Sequence, residues 1–187
     1  MNTVIIGSPN SGKSLLAENI SMEQAGNSVK YYIATMIPYG EVGLQRVDKH
    51  RKMRAGKGFI TLEWPDNIEK HLKGEVDFVE STVLLECMSN LVGNEMHSED
   101  NQNLDTLQLA TKIMDAVRLL GEKAQNLIVV TNRFPTDDEG YDSDTRVYVS
   151  LVNEVNERLI IWTDEVYTYD GGWNRSNMKE NSIHGTG

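Results

Sequence analysis

The chain has 187 residues with 18 Lys and Arg against 28 Asp and Glu, a formal net charge of -10, which opposes general binding to nucleic acid or to an anionic membrane. Its length suits one domain that buries about 70% of the surface its unfolded state exposes. Cys87 stands alone, so no internal disulfide forms; with no bilayer-spanning apolar run and no basic-flanked signal peptide, a cytoplasmic protein is expected.

In chain order, a short apolar run at 3–6 leads into Gly7-Ser8-Pro9-Asn10-Ser11-Gly12-Lys13-Ser14. The spacing G-x-x-x-x-G-K-S, with a strand before and a helical pattern at 13–25 after, is a phosphate-binding P-loop. Backbone N–H groups and the helix N-terminus make a positive nest for phosphate oxygens. Lys13 is placed to reach the β- and γ-phosphates, and the Ser14 hydroxyl to ligate a nucleotide-bound Mg²⁺. Further strand-like runs stand at 29–34, 59–62, 82–85, 127–131 and 165–169, and helical patterns at 41–54, 66–72, 104–124 and 143–162. Short strands alternating with helices predict an α/β fold: a single P-loop NTPase-type domain over 1–170, its sheet mainly parallel with helices on both faces. Leu104, Leu107, Ala110, Ile113, Met114, Val117 and Leu120 recur at helical spacing and predict a buried stripe. The segments 97–105 and 134–144 read as solvated acidic loops, and 171–187 as a polar, flexible tail.

One stretch reverses the prevailing charge. Arg46, Lys49, Arg51, Lys52, Arg54 and Lys57 crowd around His50. If 41–54 is helical, Arg46, His50 and Arg54 fall on one face at i, i+4 and i+8. Guanidiniums on either side favour the neutral, nucleophilic imidazole, and they suit a clamp on arriving phosphates. That pattern fits attack on phosphorus to give a phosphohistidine-type intermediate. A solvated basic helix with an incidental histidine fits the same spacing.

The order of these motifs resembles the bifunctional adenosylcobinamide kinase / adenosylcobinamide-phosphate guanylyltransferase family of cobalamin biosynthesis. The resemblance runs from Val4 to about Val166. It rests on the P-loop, on Tyr32-Ile33-Ala34-Thr35, and on Arg46-Val47-Asp48-Lys49-His50-Arg51-Lys52-Met53-Arg54. Thr61-Leu62-Glu63, Leu84-Leu85-Glu86-Cys87, Val130-Thr131-Asn132 and Val155-Asn156-Glu157-Arg158-Leu159 continue it. The resemblance implies a two-step enzyme that phosphorylates adenosylcobinamide with ATP or GTP. It then transfers GMP from GTP to that phosphate through a guanylylated histidine, which falls on His50. Nucleotide contacts carried over from the family fall on residues 7–14, Ala34, Thr35, Met36, Arg51, Lys52, Met53, Arg54, Glu63 and Glu86. Glu86, closing a buried strand, is also placed to order the metal together with Ser14. A homo-oligomer, with a trimer as the expected state, is likewise implied.

After Val-Thr-Asn the family continues Glu-Val-Gly, whereas here the chain reads Arg133-Phe134-Pro135-Thr136-Asp137-Asp138-Glu139-Gly140. That loop keeps open a small-molecule kinase without guanylyl transfer, or a nucleotide-binding regulatory protein. His71, His97 and His184 show no metal-ligand spacing. Cys87, Met88 and Met96 read as packing, and packing is also favoured over a corrinoid surface for Trp64, Trp162 and Trp173.

Overall fold

A computed structural model describes residues 1–74, 76–136 and 139–177. Seven strands form one sheet: β1 (Asn2–Gly7), β2 (Lys30–Ala34), β3 (Phe59–Glu63), β4 (Thr82–Glu86), β5 (Asn126–Asn132), β6 (Glu165–Tyr169) and β7 (Trp173–Asn177). Their order is β3-β2-β4-β5-β1-β6-β7, parallel throughout except that β7 pairs antiparallel with β6. The helices are α1 (Lys13–Ala25), α2 (Gly40–Arg54), α3 (Ile68–His71), α4 (Met88–Met96), α5 (Thr106–Lys123) and α6 (Ser143–Trp162). The expected α/β architecture is the one found.

Strands β4 and β5 are central and covered on both sides, which is why they read as continuous apolar runs rather than alternating ones. The pleat sorts their side chains. Val83, Leu85, Leu127 and Val129 join the core under α4, α5 and α6, whereas Leu84, Ile128 and Val130 join the smaller core under α1. In α5 the buried stripe holds Leu109, Ala110, Ile113, Met114, Val117 and Leu120, while Leu107 is exposed. The shift relative to expectation follows from the helix start. Asp105 and Gln108 form a capping box, with the Asp105 carboxylate accepting the Gln108 N–H at 2.8 Å, so Leu104 precedes the helix.

Two expectations are corrected and one unexpected helix is added. The segment at 88–96 is a helix that its Ser89, Asn90, Gly93 and Asn94 conceal in sequence, since these residues have poor helix propensity. Burial of Met88, Leu91 and Val92 overrides that preference. The segment 97–105 is not simply solvated, because Asn101 in the 3-10 turn Glu99–Asn101 is buried against Glu95. The expected tail is partly structured: β7 supplies a last strand, and the Trp173 ring lies beside Gly7. Residues 178–187 of that tail, with His184, lie outside the described residues, as do Asp137 and Asp138.

Candidate functional site

The loop from Gly7 to α1 leaves the C-terminal end of a buried strand, and its glycines are there for steric reasons. A Cβ at Gly7 would stand 2.5 Å from the Ser11 hydroxyl oxygen and 3.2 Å from Trp173. Gly12, the N-cap of α1, has φ +83°, a left-handed conformation that L side chains resist. Ser8, Pro9 and Asn10 are exposed on the outside of the turn, and Ser11 folds back so that its N–H donates to the Ser8 carbonyl. Lys13 Nζ donates to the same carbonyl at 3.0 Å, holding the ammonium over the loop. Burial lowers the affinity of that amine for its proton, while Cys87 and Glu86 act in the opposite sense.

Glu86 is the centre of the constellation. It closes β4, is only 7% exposed, and its Oε1 accepts a hydrogen bond from the Ser14 hydroxyl. Oε2 is buried and meets no hydrogen-bond partner by geometry. His50 on α2 brings its Nδ1 to 3.7 Å from Oε1, an ion-pair distance beyond hydrogen-bond range. Tyr32, two residues before the end of β2, stands beside the same carboxylate. Burial, reinforced by Glu86 and opposed by Arg54, pushes its phenol well above the ordinary tyrosine range.

Helix α2 is polar and buries only Gly43 and Arg54. It is held mainly by charge. Arg54 lies 3.5 Å above the Tyr32 ring centroid, His50 faces Glu86, and Lys57 just beyond the helix pairs with buried Glu18 of α1. Arg46 is exposed. The two arginines expected to flank His50 therefore do different things here, one facing solvent and the other stacked on a tyrosine with one guanidinium nitrogen, Nη1, unpartnered.

The remaining sequence-expected residues divide into two sets. Parallel register places Glu63, Ala34 and Glu86 side by side across β3, β2 and β4. Arg51 reaches Glu63 at 2.8 Å, both exposed, and Lys52 pairs with Asp48 at 2.7 Å. Thr35 is fully buried, its hydroxyl donating to the Cys87 carbonyl and accepting the Cys87 N–H, each at 2.8 Å. That side chain is committed to joining two strand ends. Met53 is half-buried, and Met36 points away into a separate cleft of about 400 Å³. Asn132 donates to the Ser89 hydroxyl at 2.6 Å. Sequence spacing alone does not place Tyr32 beside Glu86, Lys57 against Glu18 or Trp173 against Gly7. A tyrosine near the end of a buried parallel strand is the one signal from which the first could be read.

The donor set fits a nucleotide-borne Mg²⁺. Ser14 and Glu86 present hard oxygens at one point, and the orphaned Oε2 leaves a buried acceptor for the ion or one of its waters. Among the described residues no group of three or more His, Cys, Asp or Glu gathers as a self-sufficient metal site, so phosphate oxygens would complete the coordination. No helix among the described residues is long and apolar enough to cross a membrane.

A family model for cobinamide kinase / cobinamide phosphate guanyltransferase matches residues 3–175. No curated protein sequence matches the chain. Among solved structures, the ATPase domain of G40P is similar with a TM-score of 0.53 at 8% identity, covering 91% of this chain and 69% of that one. The ATP synthase subunit NeqB from Nanoarcheaum equitans gives 0.55 at 13% identity, over 96% of this chain, which spans about half (51%) of that one. At such identities the likeness speaks for the P-loop fold alone.

Proposed function

The chain belongs to the cobinamide kinase / cobinamide phosphate guanyltransferase family, and from that premise we propose that it carries out both steps with His50 as the nucleophile of the second. The substrates are adenosylcobinamide, with ATP or GTP as phosphate donor, and then GTP as donor of GMP. The observation that carries this reading is the meeting of Ser14, Glu86 and His50 at one strand end beside the P-loop.

In the kinase step the acceptor hydroxyl oxygen bonds to the γ-phosphorus, the bond to the β–γ bridging oxygen breaks, and the hydroxyl proton passes to solvent or to a neighbouring carboxylate. Lys13 and the backbone N–H groups of residues 7–14 hold the phosphates in line. Ser14 and Glu86 would hold a nucleotide-borne Mg²⁺, which when bound would supply countercharge to the phosphates. In the transferase step an imidazole nitrogen of His50 attacks the α-phosphorus of GTP and pyrophosphate leaves. A phosphate oxygen of the corrinoid then displaces the histidine, restoring the free ring. Glu86 facing Nδ1 favours the tautomer protonated there, which leaves the Nε2 lone pair as nucleophile. Arg51 and Arg54 stand on the last turn of the same helix, and exchange of their present partners, Glu63 and Tyr32, for phosphate would place positive charge on the reacting groups.

Intact mass after incubation with Mg²⁺ and GTP tests this directly. The expected result is an acid-labile GMP adduct on the native chain and none on His50→Ala. Retained GTP binding without an adduct overturns the transferase half and leaves a kinase or a nucleotide-binding regulator.

A further inference from the structure

A cleft of about 400 Å³ opens between α4, the start of α6 and the chain leaving β2. The nucleotide machinery described above does not use it. Ser89 lines it and is tied to that machinery: its hydroxyl meets Cys87 Sγ at 2.8 Å and accepts from Asn132 at 2.6 Å. Ser89 follows Glu86 by three positions, so chain length alone keeps their Cα atoms within about 11 Å of each other.

We propose that this cleft is the acceptor subsite, holding the amide-bearing side chains of cobinamide so that its terminal hydroxyl reaches the P-loop. The proposal rests on the functional reading above. The lining matches an amide-rich macrocycle in two respects. Asn90 offers a carboxamide that hydrogen-bonds no other described side chain or backbone group, and a carboxamide pairs reciprocally with another through one donor and one acceptor. Met36 and the exposed Ile37 give an adaptable apolar wall for the ring edge. On the far rim His97 Nε2 and Asp144 Oδ2 stand 3.2 Å apart, with Nδ1 of His97 at 2.8 Å from the Gly93 carbonyl. The cleft is open and of the size of small-molecule sites, which suits one arm of a large ligand whose body remains outside.

Calorimetric titration of the full chain with dicyanocobinamide, in the presence of Mg²⁺ and a non-hydrolysable GTP analogue, tests the assignment. Asn90→Trp, which fills the cleft, is expected to weaken dicyanocobinamide binding at least tenfold, and Asn90→Ala by about threefold, with affinity for the GTP analogue unchanged in both. Wild-type corrinoid affinity in Asn90→Trp overturns the proposal, and so does parallel loss of both ligands, which would make the cleft part of the nucleotide site. Should the tryptophan variant misfold, hydrogen exchange on the native chain decides. Slower exchange across 88–97 and 143–148 on adding dicyanocobinamide is expected, and unchanged exchange there overturns the assignment. A native chain that binds the GTP analogue but no corrinoid sinks the functional reading itself. Normal phosphorylation of cobinamide by Asn90→Trp sinks only the subsite.

Discussion

Glu95 and Glu86 are both buried carboxylates on or beside the same connection, yet their surroundings differ. Glu95, 3% exposed, is fully engaged: Oε1 accepts the Asn67 N–H at 2.6 Å, and Oε2 accepts Asn101 Nδ2 at 2.6 Å and Lys112 Nζ at 3.1 Å. Lys112 also donates to Asn101 Oδ1 at 2.6 Å, which closes a network joining α3, α4, the 3-10 turn and α5. Glu86 accepts from a P-loop hydroxyl at Oε1, the same oxygen that a histidine on a loosely packed helix faces, and the Tyr32 phenol stands beside the carboxylate, whereas Oε2 has no such set of donors. A satisfied buried charge holds elements together. An incompletely satisfied one at a strand end beside a phosphate loop is a candidate for holding a ligand.

Substitutions should separate the two roles. Glu95→Leu removes the acceptor of the Asn67 N–H and of one Asn101 amide N–H, and the carboxylate partner of Lys112, so it is expected to cost about 3–5 kcal/mol in chemical denaturation, with GTP affinity retained by the folded protein. A loss of nucleotide binding at full stability would break the contrast. Glu86→Gln is expected to do the reverse, lowering kcat of the kinase step about 100-fold, or about 2.7 kcal/mol of transition-state stabilisation. Its melting temperature should stay level or rise, because a buried charge with an unpartnered oxygen is removed. Gly12→Ala sharpens the comparison at the backbone. A Cβ in the left-handed region costs about 1–2 kcal/mol, and the strained loop should bind GTP more weakly, both readable by melting with and without nucleotide.

The smallest effect belongs to an exposed pair. The Gly93 carbonyl, and then Asp144, raise the His97 imidazolium above its ordinary range. A histidine whose folded-state affinity for the proton is raised contributes fully below the unfolded value, and that contribution fades as pH rises through the folded value. With both side chains exposed, solvent screening holds the contribution to a few tenths of a kcal/mol. Comparing denaturation of His97→Gln and the native chain at about pH 5.5 and 8 checks it, with the difference expected at the lower pH only.

The P-loop was legible because it is a local object. Its glycines, lysine and serine are adjacent in sequence, and backbone geometry alone makes the phosphate nest. The central strands were legible because burial on both faces writes itself as unbroken apolar runs. Helix α4 escaped because packing of Met88, Leu91 and Val92 outweighs its weak propensity, and β7 because its residues, Trp-Asn-Arg-Ser-Asn, gain a strand only by pairing with β6. The altered segment after Asn132 gave no hint that Phe134 packs against Tyr148, whose hydroxyl donates to the Ser89 carbonyl at the cleft wall.

The sequence by itself determined that a phosphate loop exists, that a parallel sheet carries it, and that a basic helix holds a histidine. Only the tertiary structure decided that His50 faces Glu86, that Arg54 leaves its expected place to stack on Tyr32, and that Thr35 is locked to Cys87. The physical reason is one of range. Turn geometry and strand burial act between neighbours in the chain. Which charges meet is set by strand order and register, and those are settled by the packing of the whole sheet.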